Sequence, residues 1–138
     1  MNQQYEAAES AVEAAQGAVS QLGRDWPGLW NDARALLDDI EECRAGKIFT
    51  RELANRAEDA ILRVSKDGGA RERDLFIRTP YLVTLACAEA ALGIAFAQWE
   101  VEPFHMQRCG HYLTCAYRAH ERHMADCARR AQQLTTRY

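Results

Sequence analysis

The fold is decided by residues 79–97, TPYLVTLACAEAALGIAFA, in which Glu89 is the single charged residue. Thr79 and Pro80 are typical of a helix start, because Thr caps a first turn and Pro fits the first helical position. A helix that is apolar almost all round is the buried one in a soluble protein. The run is shorter than the roughly 20 apolar residues of a membrane span. We therefore predict a central buried helix over residues 80–101.

Apolar stripes with helical spacing occur on both sides of this stretch. They recur every three or four residues, as on one face of an amphipathic helix. Glycines at 23, 46 and 68–69 end the first three of these helices, and Pro103 begins a last one that runs toward Arg137. The second helix carries its stripe on Trp26, Leu29, Ala33, Leu36, Ile40 and Cys43. Because short loops join antiparallel neighbours, the sequence predicts an all-α, single-domain antiparallel bundle of about five helices over residues 1–138.

Composition agrees with this fold class. The chain has 138 residues, of which 48% are hydrophobic, and 24 are Ala, the best helix former. Such an apolar fraction excludes general disorder. The 8 Gly and 3 Pro are too few for the frequent turns of an all-β sandwich.

Charge and cysteine content indicate the class of partner and the cellular compartment. The net charge of −3 does not favour a nucleic-acid binder or a membrane-surface protein. Five Cys without a Cys-x-x-Cys pair are not a disulfide framework, and the N-terminus does not resemble a signal peptide. We expect a cytoplasmic protein, either a monomer or a homodimer, without a cofactor.

Acidic residues concentrate on the second predicted helix, whose start carries two Trp. Such a cluster can steer a basic partner, and Trp is enriched in binding hot spots. The residues concerned are Trp26, Trp30, Asp38, Asp39, Glu41 and Glu42. They suggest a small non-catalytic protein-binding module, possible types being an inhibitor such as an immunity protein or antitoxin, or a chaperone. In the alternative interpretation both Trp pack inward beside Leu29 and the acids form a solvated face.

A metal-binding or metal-sensing bundle is the second hypothesis. His123 and Cys127 are one turn apart on the last helix and could both hold Zn²⁺ or Cu⁺, with His120 in the preceding turn. A hairpin turning near residues 102–104 would bring Glu89 or Cys87 within one or two turns of His120. The alternative is that His120 is a core histidine paired with Glu89, and that buried Cys residues are small hydrophobes.

Catalytic patterns are weak. No phosphate-binding glycine loop or Gly-x-Ser-x-Gly elbow is present. His111 and Cys115 lie one turn apart on a face with Arg118, Arg122 and Arg129, and this face is predicted to be exposed to solvent. An open helix face lacks a cleft and oxyanion donors, so we expect no enzymatic activity.

Overall fold

The computed structural model describes residues 3–24, 27–66, 75–97 and 104–136 of the chain. Within these ranges five α-helices follow one another: α1 (Gln3–Leu22), α2 (Asn31–Arg44), α3 (Thr50–Lys66), α4 (Leu75–Phe96) and α5 (Phe104–Thr136). A short 3-10 helix, Pro27–Trp30, precedes α2. The described residues contain no strand. The predicted all-α bundle is confirmed.

The central position of α4 is confirmed as well. This helix contacts α1, α2, α3 and α5, and every residue from Thr79 to Ala95 is buried. Many of its side chains are alanines, whose small size lets neighbouring helices approach closely at the packing density of a protein interior.

By length and composition alone, Ile77–Phe96 could also cross a membrane. The length of the apolar run therefore does not exclude a membrane span, contrary to the argument made from the sequence. In this fold, however, 94% of its most apolar window is buried inside the protein. Such burial is what a core helix of a bundle requires.

The start of α4 differs from the prediction. The helix begins at Leu75, so Pro80 lies inside it and is not its first residue. Proline has no N–H to donate to the carbonyl one turn earlier. The Thr84 hydroxyl donates to the Pro80 carbonyl oxygen at 2.7 Å, which gives this buried side chain a partner.

The second half of α5 extends beyond the buried core. Cys109, Leu113, Ala116 and Ala119 are buried, but no residue from Glu121 to Leu134 is. The apolar stripe of α5 therefore leaves the core after Ala119, and Met124 and Leu134 are exposed. The reason is length: α5 has 33 residues and α4 has 22, a difference of roughly 16 Å at the rise of an α-helix.

Candidate functional site

A buried carboxylate lies at the contact between α4 and α5. Glu89 is 3% exposed, and its Oε2 atom lies 2.7 Å from Nδ1 of His105. Its Oε1 atom lies 3.3 Å from Nε of Arg108. A buried carboxylate needs such partners, because an isolated charge in a protein interior is strongly unfavourable.

Aromatic rings surround the two bases that contact Glu89. The His105 ring stacks on Phe96 at a centroid distance of 5.9 Å. The Arg108 guanidinium lies over the rings of Phe104 and Tyr112, at 5.1 and 5.7 Å, and donates to the Tyr112 hydroxyl at 2.8 Å. Glu89, His105 and Arg108 therefore link α4 to α5, with the three aromatic rings packed against the two bases.

This geometry corrects the predicted pairing of Glu89 with His120. Glu89 lies level with His105 and Arg108, roughly three to four helical turns before His120 and not within one or two turns of it. Gly93 accordingly lies beside Met106, whose Sδ atom is 3.1 Å from the position of a Cβ at Gly93. His120 is half-buried.

The predicted metal ligands are not brought together. Glu89 is engaged by His105, and Cys87 is fully buried. His123 Nε2 and Cys127 Sγ do lie 3.7 Å apart on an exposed part of α5. Within the described ranges, no group of three or more His, Cys, Asp or Glu side chains is placed to hold an ion.

Two thiols in the core are held in the neutral form. Burial, with a smaller effect of the Glu89 charge, raises the pKa of Cys109 to about 12. Burial also raises the pKa of Cys87 above its ordinary value. The Cys109 thiol is within weak hydrogen-bond distance, 3.8 Å, of the Ala11 carbonyl oxygen. Since the thiolate is the nucleophile, neither side chain is activated for catalysis.

Trp30 does not lie on an exposed docking face, which corrects its predicted role. Its side chain is 3% exposed, whereas Leu29, predicted to be buried, is 40% exposed. The indole packs on buried Gly23, since a Cβ at that position would lie 3.1 Å from the ring. The chain before α2 is a 3-10 helix, whose three residues per turn displace the stripe relative to an α-helix. Trp26 lies outside the described residues.

The acids predicted on α2 lie at the surface, but most of them contact arginines. Arg56 donates to Asp39 at 2.6 Å and to Glu52 at 2.8 Å, and lies 3.7 Å from Glu42. The hydrogen bond that Arg56 donates to Asp39 and the charge of that carboxylate raise the pKa of Arg56. Arg44 pairs with Glu41 and with Glu9 of α1. Asp38 is exposed, and the described residues offer it no ion pair.

Phe49, between α2 and α3, is the residue that sequence reasoning missed. Its side chain is 84% exposed, more than that of any other large apolar residue described. Its carbonyl oxygen accepts the hydrogen bond from the Leu53 amide that begins α3, which places Phe49 at the N-cap. An available signal was that Phe49 follows the turn at Gly46 and belongs to none of the apolar stripes.

A cavity of about 520 Å³ lies between the first turns of α3, from Thr50 onward, and the end of α4. Its lining includes Thr50, Ala54 and Glu58 on α3, and Ala95 and Phe96 on α4. We call Phe49, Asp38, Glu41, Glu42 and this cavity the α2–α3 surface.

No protein-family model, curated protein or solved structure matches the chain.

Proposed function

We propose that this chain is a small, non-catalytic protein-binding module that docks its α2–α3 surface onto a basic partner protein. The inhibitor types, immunity protein or antitoxin, and the chaperone type are instances of such a module. The observation that carries the proposal is the exposure of Phe49, 84% of its surface, in the turn that follows the acidic helix α2.

Phe49 is unfavourable for stability in two ways. An exposed aromatic ring stays in contact with water, although burying it would be favourable. At the N-cap, Phe also lacks the side-chain oxygen with which Ser, Thr, Asp or Asn would accept a hydrogen bond from the first turn, a loss of about 1 kcal/mol. A partner that buries the ring would account for a phenylalanine at this position, because aromatic side chains are frequent anchors of interfaces.

The charge around Phe49 favours a basic partner. Residues 38–59 carry seven acids and four bases, a net charge of −3 (4 − 7), the same as that of the whole chain. Salt bridges to Arg44 and Arg56 hold several of these carboxylates in place, while Asp38 and Glu42 are exposed. Such a surface accelerates association with a positive partner and disfavours other partners.

The cavity that begins at Thr50, the residue after Phe49, offers the partner a place for one of its own side chains. It is lined by the methyl groups of Ala54 and Ala95 and by the Phe96 ring, with Glu58 at the same surface. An apolar centre with polar residues around it is the usual anatomy of a binding interface. Phe49 replaces the buried Trp30 as the proposed anchor, and it lies on the same acidic part of the chain.

The test begins with affinity capture from the native cell, using the wild-type chain and two variants. Phe49→Ser removes the proposed anchor, and Leu62→Ser removes another exposed apolar side chain, 65% exposed, on α3. We expect one dominant partner, captured by wild type and Leu62→Ser and bound at least about tenfold more weakly by Phe49→Ser. Equal affinity of the Phe49→Ser and wild-type chains would contradict the anchor.

Association kinetics with that partner test the charges. The double variant Asp38→Lys, Glu42→Lys should associate more slowly and with a weaker dependence on salt. The matched control, Glu13→Lys with Glu121→Lys, makes the same change in net charge on the exposed faces of α1 and α5. Similar association rates for both double variants would mean that net charge, and not this surface, is recognised.

Metal binding is the second candidate function, and the His123–Cys127 pair supports it. One imidazole and one thiol 3.7 Å apart give two donors, whereas a tetrahedral Zn²⁺ site needs four ligands. A second copy of the chain could supply the other two. Native mass spectrometry with added Zn²⁺ or Cu⁺ should then show a metal-dependent dimer that is lost in His123→Ala, Cys127→Ala; a metal-free monomer at every concentration would exclude it.

A further inference from the structure

A second cavity lies on another part of the molecule, between the start of α4 and the second half of α5. Its volume is about 590 Å³, within the usual range for small-molecule sites. Arg78 of α4 and Arg118 and Arg122 of α5 line it, together with Glu121 and the methyl groups of Ala119 and Ala125. Three guanidinium groups and one carboxylate thus surround a single cavity.

The arginines of this cavity have unused hydrogen-bonding capacity. The Nε atom of Arg78 is buried and has no hydrogen-bond partner. Among the described residues, no carboxylate forms an ion pair with Arg78, Arg118 or Arg122. By contrast Arg129 and Arg130, farther along α5, both contact Asp126. A buried, unsatisfied donor on a charged group is unfavourable, so an anion in this cavity would stabilise the arrangement.

We propose that this cavity binds the phosphate groups of a small anion. Guanidinium groups match phosphate oxygens geometrically, because each can donate two parallel hydrogen bonds. Three arginines suit a ligand of about the charge and size of pyrophosphate, and the methyl groups of Ala119 and Ala125 leave room for an attached organic group.

A nucleic-acid backbone carries the same phosphate chemistry but fits this surface less well. Nucleic-acid binding uses an extended basic face, whereas Glu121 and Asp126 interrupt the arginines along α5. The chain as a whole is also acidic, with a net charge of −3. The site lies on α4 and α5, away from the α2–α3 surface, so the two proposals are independent of each other.

Thermal unfolding with added sodium pyrophosphate tests this proposal, with sodium chloride at the same ionic strength as the baseline. Pyrophosphate should raise the unfolding midpoint in a saturable manner, because a ligand that binds the folded state stabilises it. Isothermal titration gives the affinity directly. Arg118→Gln with Arg122→Gln should weaken binding at least about tenfold, through the loss of charge-assisted hydrogen bonds.

The matched control is Arg129→Gln with Arg130→Gln, which removes two exposed arginines from the same helix outside the cavity. Its affinity should stay close to that of wild type. Glu121→Gln should bind pyrophosphate more tightly, since it removes a like charge from the lining. Three results would overturn the proposal: a pyrophosphate effect no larger than that of chloride, equal weakening in the two arginine variants, or preference for a single-stranded oligonucleotide over pyrophosphate.

Discussion

His105 Nδ1 lies 2.7 Å from Oε2 of Glu89, so the one acid of the central helix has its closest partner in the first turn of α5. The contact joins residues that are 16 positions apart in the sequence, across the turn between α4 and α5. It fixes how the two helices are aligned along their length, because a shift of one turn would leave the Glu89 carboxylate buried without a partner.

Removing His105 should therefore destabilise the protein. We expect His105→Ala to lower the free energy of unfolding by about 3 kcal/mol, since a buried charge loses one partner and keeps the longer contact with Arg108. His120→Ala should cost less than about 1 kcal/mol. Urea unfolding measures both changes. In a Glu89→Gln background the cost of His105→Ala should fall to about 1 kcal/mol; equal costs in the two backgrounds would show that the pair is not coupled.

The packing of Trp30 on Gly23 predicts opposite effects for two glycine substitutions. A Cβ at Gly23 would lie 2.5 Å from the Val19 carbonyl oxygen and 3.1 Å from the Trp30 ring. Gly23→Ala should therefore destabilise the protein by more than about 1 kcal/mol. A Cβ at Gly17, inside α1, meets nothing within 4 Å, so Gly17→Ala should stabilise it by about 0.5–1 kcal/mol. Thermal unfolding of both variants would show the prediction to be wrong if the shifts had the same sign.

Stability and binding should change in opposite directions at Phe49. Phe49→Ser should raise the free energy of unfolding by about 1 kcal/mol, because the serine hydroxyl can cap α3. Phe49→Ala also removes the ring but adds no cap, so it should change stability by less than about 0.5 kcal/mol. Denaturant titration of the two variants checks this difference. A large loss of stability in both would mean that the ring packs on the protein, contrary to its 84% exposure.

The buried thiols should make the protein less stable in alkali. In the unfolded chain a Cys ionises near pH ~8.5, whereas burial raises the pKa of Cys109 to about 12 in the folded state. Between these values the unfolded state has lost a proton that the folded state retains, so the free energy of unfolding falls as pH rises. Each such thiol contributes about 1.4 kcal/mol per pH unit; Cys87, whose pKa is also raised, acts in the same direction.

Unfolding measured in urea from about pH 8 to about pH 10 tests this slope. Cys87→Ala with Cys109→Ala should give a shallower decrease than wild type. Val83→Ala, which also truncates a fully buried residue of α4, should keep the wild-type slope. If all three chains lost stability in parallel, other groups would be responsible for the alkaline decrease.

The acidic surface and the basic cavity illustrate what could be predicted of the candidate sites. Asp38 and Glu42 are exposed on α2 as the sequence indicated, because charged residues stay in water at one face of an amphipathic helix. Their contacts with Arg56 of α3 could not be predicted, since they depend on how α2 and α3 are aligned. Arg78 meets Arg118 and Arg122 for the same kind of reason: they are brought together by the alignment of α4 with α5.

The sequence by itself determined the all-α class, the central place of α4 and the inward faces of α1, α2 and α3. These properties follow from local patterns, namely the apolar run at residues 79–97, the three-to-four spacing of the stripes, and glycines between them. Tertiary structure alone decided that Glu89 contacts His105 and not His120. It also decided that α5 continues past the core beyond Glu121. The same holds for the burial of Trp30 and the exposure of Phe49. Periodicity gives the face of a helix that is apolar, but the partner of each residue depends on where the helices end. Those ends are set by packing between helices that are distant in sequence.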